Sequence, residues 1–141
     1  MRTVALTVLL ATSAFLPIDA AAEQFIFECN YSYSSSMPIN SYEFKPRLFE
    51  VEPLKDFAMK FAVQSDMSEA YLIGDLGTEK VISTFAGAIS LLTLTEVTSE
   101  GEVNVTSVNL DTLASVHSRH VVIVGELFPS QMYGRCKLLK P

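Results

Sequence analysis

The chain has 141 residues, with 10 Lys and Arg against 16 Asp and Glu and a formal net charge of −6. That balance disfavours nucleic-acid binding, which needs a basic surface to neutralise phosphates. The length allows one ordinary domain around one core.

The first segment, MRTVALTVLLATSAFLPIDAAAEQ, carries a charge at Arg2, an apolar run from Val4 to Leu16, and small residues at Ala20, Ala21 and Ala22. These are the parts of a signal peptide. The apolar run is shorter than the roughly 20 residues a helix needs to cross a bilayer, so residues 1–22 are predicted to be removed. Residues 23–141 then form a single soluble domain, periplasmic or secreted, with no transmembrane segment after processing.

Beyond Ala22, apolar and polar residues alternate at the period of a strand. In FAMKFAVQ, Phe57, Met59, Phe61 and Val63 fall on one face, with Lys60 and Gln64 on the other. Further strands are predicted near 24–30, 42–51, 70–73, 80–85, 89–97, 102–110, 115–124 and 132–139. The loop-like stretch NYSYSSSMPINSY (30–42) and the turns GDLG, TSEGE and LDT separate them. SLLTLTEV (90–97) is strand and not helix because of its β-branched content. In EVNVTSVNL, Val103 and Val105 are out of phase with Val108 and Leu110, which predicts a β-bulge at Thr106 or Ser107. Pro129 marks a turn before the closing strand. Eight or nine short strands with short connections predict an all-β fold, a small antiparallel meander forming a closed or nearly closed barrel, because closure removes aggregation-prone edges. A two-sheet sandwich is the alternative. No internal repeat, heptad pattern or interdomain linker is present.

Cys29 and Cys136 are the two cysteines, in a chain addressed to an oxidising compartment, and one disulfide is predicted. Closing a loop of about 100 residues is worth on the order of 4 to 5 kcal/mol in the chain-entropy model. Two unpaired thiols are the alternative; a metal site is disfavoured, since two sulfurs alone rarely make one.

The segment HSRHVVIVGELFPSQMYGRC (117–136) gathers the chemistry-bearing residues. On a strand, positions three apart face opposite sides, so His117 and His120 are not expected to share a metal. His117 and Arg119 do share a face and could bind an anion, or simply hydrogen-bond at a barrel rim. A hydrolytic site would need a nucleophile, a base and an orienting group together. Ser118 and Ser130 are available, and Glu126 stands near Arg119 and His120, but no G-x-S-x-G stretch occurs and such charged neighbours are ordinarily surface pairs. Neither cofactor nor metal is expected, and no catalytic residue is assigned. In the 30–42 stretch, tyrosine and serine together make adaptable contact surfaces, although a plain solvated loop has the same composition. A Cys29–Cys136 bridge would bring Tyr31 and Tyr33 near Tyr133 and Arg135. The expected binding surface is therefore a rim of Tyr31, Tyr33, His117, Arg119, Tyr133 and Arg135. Asn30-Tyr31-Ser32 and Asn104-Val105-Thr106 match the N-glycosylation pattern, which has meaning only in a eukaryotic secretory pathway.

The run VHSRHVVIVGELFPSQMYGRC, with ISLLTLTEV before it, resembles an uncharacterised group of short exported bacterial proteins that end in a similar His-Ser-Arg-His and Pro-Ser-Gln-x-Tyr-Gly-x-Cys pattern. The likeness covers the last third to half of the chain. It implies a periplasmic location and a paired cysteine, and no activity. In size, acidity and expected architecture the chain is also similar to periplasmic lysozyme inhibitors. The expected function is thus a non-enzymatic binding module contacting a protein or cell-envelope component. The alternatives are a carrier holding a small apolar ligand inside the barrel and, third, an enzyme of unknown type. For the carrier, Phe57, Phe61, Leu92 and Leu94 would have to leave space between them.

Overall fold

The structure, a computed structural model, describes residues 23–36, 51–123 and 126–139. Eight strands follow one another: β1 (Gln24–Ser36), β2 (Glu52–Gln64), β3 (Ala70–Gly74), β4 (Gly77–Ala86), β5 (Leu91–Val97), β6 (Val103–Asn109), β7 (Ala114–Ile123) and β8 (Glu126–Leu139). Each pairs antiparallel with its sequence neighbour, and β8 returns to pair with β1, so the sheet is a closed barrel. A 3-10 turn, Gly87–Ile89, links β4 to β5. Among the described residues no helix is long and apolar enough to cross a membrane.

Alternation sends one residue in two into the core. Phe27, Cys29 and Tyr31 from β1, Phe61 and Val63 from β2, Leu92 and Leu94 from β5, Val108 from β6 and Met132 from β8 are all buried. Phe57, Met59 and Leu72 pack against them. One end of this core is covered by connections. Met67 and Leu113 adopt positive φ of 61° and 59°, costly for non-glycine residues, and pack their side chains onto the core. Ser83 Oγ donates to the Met67 carbonyl at 2.9 Å, and the Cys136 amide donates to the Leu113 carbonyl at 2.8 Å. Gly101, with φ 83°, makes the TSEGE hairpin.

The seam between β1 and β8 closes the barrel. Cys29 and Cys136 are register partners and form a disulfide across it. Gly134 pairs with Tyr31, and the two backbones approach so closely that a Cβ on Gly134 would overlap the Asn30 carbonyl and lie 2.7 Å from Tyr31 Cα.

Four details differ from the sequence expectation. First, β1 runs through Ser36, so Asn30–Ser36 is strand and not loop; pairing on both sides, to β2 and β8, holds a serine-rich segment that alternation alone marks weakly. Second, β6 has an unbroken register with both neighbours, so the bulge expected at Thr106 or Ser107 is absent. Asn104, Thr106 and Val108 take the buried phase; Thr106 bonds His117 and the Asn104 amide nitrogen bonds Glu96, while Asn104 Oδ1 has no partner among the described residues. The irregularity lies instead between Tyr31 and Tyr33. Ser32 is the extra residue against β8, while on β2 the facing pairs are Phe57 and Pro53, with Asp56 at φ 54° between them. Third, Pro129 lies within β8, opposite His120. Among the described residues, pairing with β1 reaches only Ser130, and Pro129 has its register partner on β7 alone. Fourth, β2 and β8 begin earlier than predicted, at Glu52 and Glu126. The strand expected over 42–51 falls, save Val51, outside the described residues.

Candidate binding surface

The inner face of the barrel becomes polar along successive rows. Phe57, Tyr31, Gly134, Ser115, Val108 and Leu92 are partners around one row. Leu94, Thr106, His117 and Met132 form the next, and Glu96, Asn104 and Arg119 the next again. The Tyr31 hydroxyl shares a hydrogen bond with Ser115 Oγ at 3.1 Å, and Thr106 Oγ1 shares one with His117 Nδ1 at 2.8 Å. Asn104 Nδ2 donates to Glu96 Oε2 at 2.7 Å. The His117 ring packs 5.8 Å from that of Tyr31 and 6.4 Å from that of Phe57, centroid to centroid.

Burial acts on His117 and Tyr31. It pushes the His117 pKa down from 6.5 to about 4, with the Arg119 charge adding in the same direction, so the imidazole is neutral. It raises the Tyr31 pKa, against the opposing effect of hydrogen bonds to Ser115 and Thr106. A hydroxyl–imidazole pair is also the core of many nucleophilic sites. Here Thr106 and His117 are each 2% exposed, and the bond joins register partners on strands β6 and β7.

The outer face of the seam is different. The phase shift at Ser32 turns Tyr33 outward, opposite Tyr133, and leaves it 52% exposed. Tyr133 donates its hydroxyl to Gln131 Oε1 at 2.8 Å and contacts Ser35 Oγ at 3.3 Å, which fixes its ring. Arg135, two residues on, donates from Nη1 to the Thr112 carbonyl at 3.3 Å. Lys137 and Lys60 both pair with Glu28, at 2.7 and 3.4 Å, and hold its carboxyl below the usual range. An open groove of about 560 Å³ lies over this face, lined by Asn30, Ser32, Tyr33, Tyr133, Arg135 and Lys137 together with the backbone at Gly134 and Cys136. A second groove, about 310 Å³, continues past Tyr133 along Gln131, Pro129, His120 and Ser118.

The expected rim therefore divides in two. Tyr33, Tyr133 and Arg135 are brought together on the outer surface. Tyr31 and His117, both 2% exposed, are core residues, and Arg119 shares the inward phase of His117; strand alternation puts them on the other side of the wall. His120 is exposed and faces away from His117, as positions three apart on a strand must. It also faces away from Arg119, so the two do not join in one site. Asn104 is 9% exposed and bound to Glu96, and is not available for a glycan. Among the described residues no group of three or more His, Cys, Asp or Glu is placed to hold a metal. Sequence reasoning missed Asn30 and Lys137 as groove residues, and Glu96, Asn104, Thr106 and Ser115 as interior ones. The pairing of Cys29 with Cys136 was the signal for the first two, since it places 30 beside 135 and 28 beside 137.

With fold and surface in view, comparison with family models, with curated proteins and with solved structures found no match.

Proposed function

We propose that this chain is an exported, periplasmic, non-enzymatic binding module whose contact surface is the outer face of the β1–β8 seam. The observation that carries the reading is the groove around Tyr33, Tyr133 and Arg135 over the disulfide-linked seam of the barrel. Two strands, a disulfide and the Lys60–Glu28–Lys137 pairs fix its floor. Binding to a preorganised surface loses less conformational entropy than binding to a loop. Tyrosine and arginine are also the side chains that dominate contact energies at interfaces. Export is supported by the signal-peptide pattern and by the disulfide, which suits an oxidising compartment. The outer face is favoured over a ligand carried inside, because Phe61, Leu92 and Leu94 are at most 2% exposed and Phe57 packs against the same core.

The test is site-directed photo-cross-linking in intact cell envelopes. A cross-linkable residue replaces Tyr33 or, as control, Ile82, which is 63% exposed on β4. A discrete adduct at position 33 that is missing at 82 supports the reading, and equal labelling refutes it. The variant Tyr33→Ala/Arg135→Ala should keep its thermal stability and lose the adduct formed from a cross-linker at position 131.

A further inference from the structure

We infer that the seam groove is a saccharide site, taking an extended oligosaccharide that carries isolated carboxylates. The inference rests on the proposed binding reading and names its ligand class.

Charge is the first argument. The chain is acidic overall, at −6, yet among the described residues the groove lining includes Arg135 and Lys137 and no Asp or Glu, and the nearby Glu28 is shared between Lys60 and Lys137. Among the described residues the adjoining groove has no acidic residue either. A ligand seated here meets local positive charge on a negative body, which suits a molecule with occasional anionic groups and disfavours a densely charged strand such as nucleic acid. Arg135 supplies the planar fork that pairs two-pronged with a carboxylate, and its contact with the Thr112 carbonyl limits the rotamers it must give up.

Chemistry of the remaining lining is the second. Tyr33 and Tyr133 are neighbours across the seam, so their rings offer apolar area with hydroxyls at the edge. Asn30 and Ser32 add amide and hydroxyl groups beside them, and Ser118 and Gln131 do so in the second groove. Rings flanked by many neutral donors and acceptors match a pyranose, whose C–H face is apolar and whose rim is hydroxyls. A peptide would gain most by adding a strand to a free sheet edge, and the closed barrel offers none among β1–β8.

Shape is the third argument. The two grooves share Tyr133 and run along β8 from Pro129 to Lys137. At about 3.3 Å per residue this is a track of roughly 26 Å, long enough for several sugar units in line and far more than one carboxylic acid requires.

The test titrates the mature, oxidised protein by calorimetry and NMR with a hyaluronan tetrasaccharide, which alternates uronic acid and N-acetylated sugar. Chitotetraose serves as its uncharged counterpart and tetraglutamate as an acidic peptide. Binding of the hyaluronan fragment is expected, with chitotetraose at least about tenfold weaker, the worth of one charge-assisted contact. Arg135→Gln should bring the two sugars level, and Tyr33→Ala should weaken both. Shifts should map to Asn30, Tyr133 and Lys137. Equal binding of the two sugars by the unaltered protein overturns the role of the carboxylate. Tetraglutamate binding as tightly as the sugar overturns the saccharide in favour of an acidic peptide. If neither sugar binds, the ligand class is wrong, while the Tyr33 cross-link independently decides whether the seam is a contact surface.

Discussion

Acidifying the solution should unfasten this barrel through one side chain. His117 is buried among Tyr31 and Phe57 of β1 and β2 and Thr106 of β6, with Arg119 as the nearby cation on its own strand. Its pKa falls from 6.5 in a free chain to about 4 in the fold. The unfolded chain therefore binds a proton at pH values where the folded one refuses it. Stability from the neutral imidazole is complete above about pH 6.5, declines as pH falls towards 4, and is fully lost below that. The whole difference is worth about 3 kcal/mol, and about 2 kcal/mol is already gone at pH 5. Against the 5–15 kcal/mol typical of a domain this is a large share. Glu28, Asp66, Glu69 and Glu100, whose pKa values are lowered, lose their contributions from the ordinary carboxylate range downward, so among the described groups with shifted pKa values the interval from pH 6.5 to 5 belongs to His117. Urea unfolding at pH 7.5, 6 and 5 should show the decline in the natural chain and a nearly flat profile in His117→Gln, whatever that variant's absolute stability. Parallel slopes in the two proteins, or an NMR titration of His117 near 6.5, would refute the reasoning.

Two further outcomes are expected. Gly134→Ala should destabilise by about 1–3 kcal/mol or prevent folding, because its methyl meets the Asn30–Tyr31 backbone; Gly74→Ala, whose methyl finds its nearest atom at 3.6 Å, should melt close to the parent, and similar melting of both variants would count against the close approach. The unreduced protein should lack two hydrogens by mass and resist alkylation, and replacing both cysteines by alanine should cost about 2–5 kcal/mol in urea unfolding; two alkylatable thiols in the native protein would disprove the bridge.

Much of the barrel was legible because its interior is mostly apolar. Phe57, Met59, Phe61 and Val63 gave the phase of β2 outright, and the two cysteines gave the neighbour of the first strand. Strand β6 was misread for the opposite reason. Val103 and Val105 were brought into phase with Val108 and Leu110 by an extra residue, whereas it is Asn104 and Thr106 that share the buried face of Val108, bonded to Glu96 and His117. A rule that sends polar residues outward fails when their partners come from other strands. The surface suffered from the same limit. Pairing placed positions 30–33 beside 133–135 correctly, but the single extra residue at Ser32 decides that Tyr33 faces solvent while Tyr31 faces the core. No local pattern in a Tyr-Ser-Tyr-Ser run announces where such an insertion falls.

Of the eight strand pairings, seven join sequence neighbours, and one joins the first strand to the last. Hairpins can form early with little loop entropy to overcome, whereas the final pairing must bring together cysteines 107 residues apart. Until then β1 and β8 are bare edges of an open, curled sheet, free to recruit another chain. The groove over the seam has walls on both of those strands, so it does not exist in an incompletely folded molecule. A ligand captured there adds its binding free energy to the closed state alone, and so selects for chains that have finished folding and oxidised their cysteines.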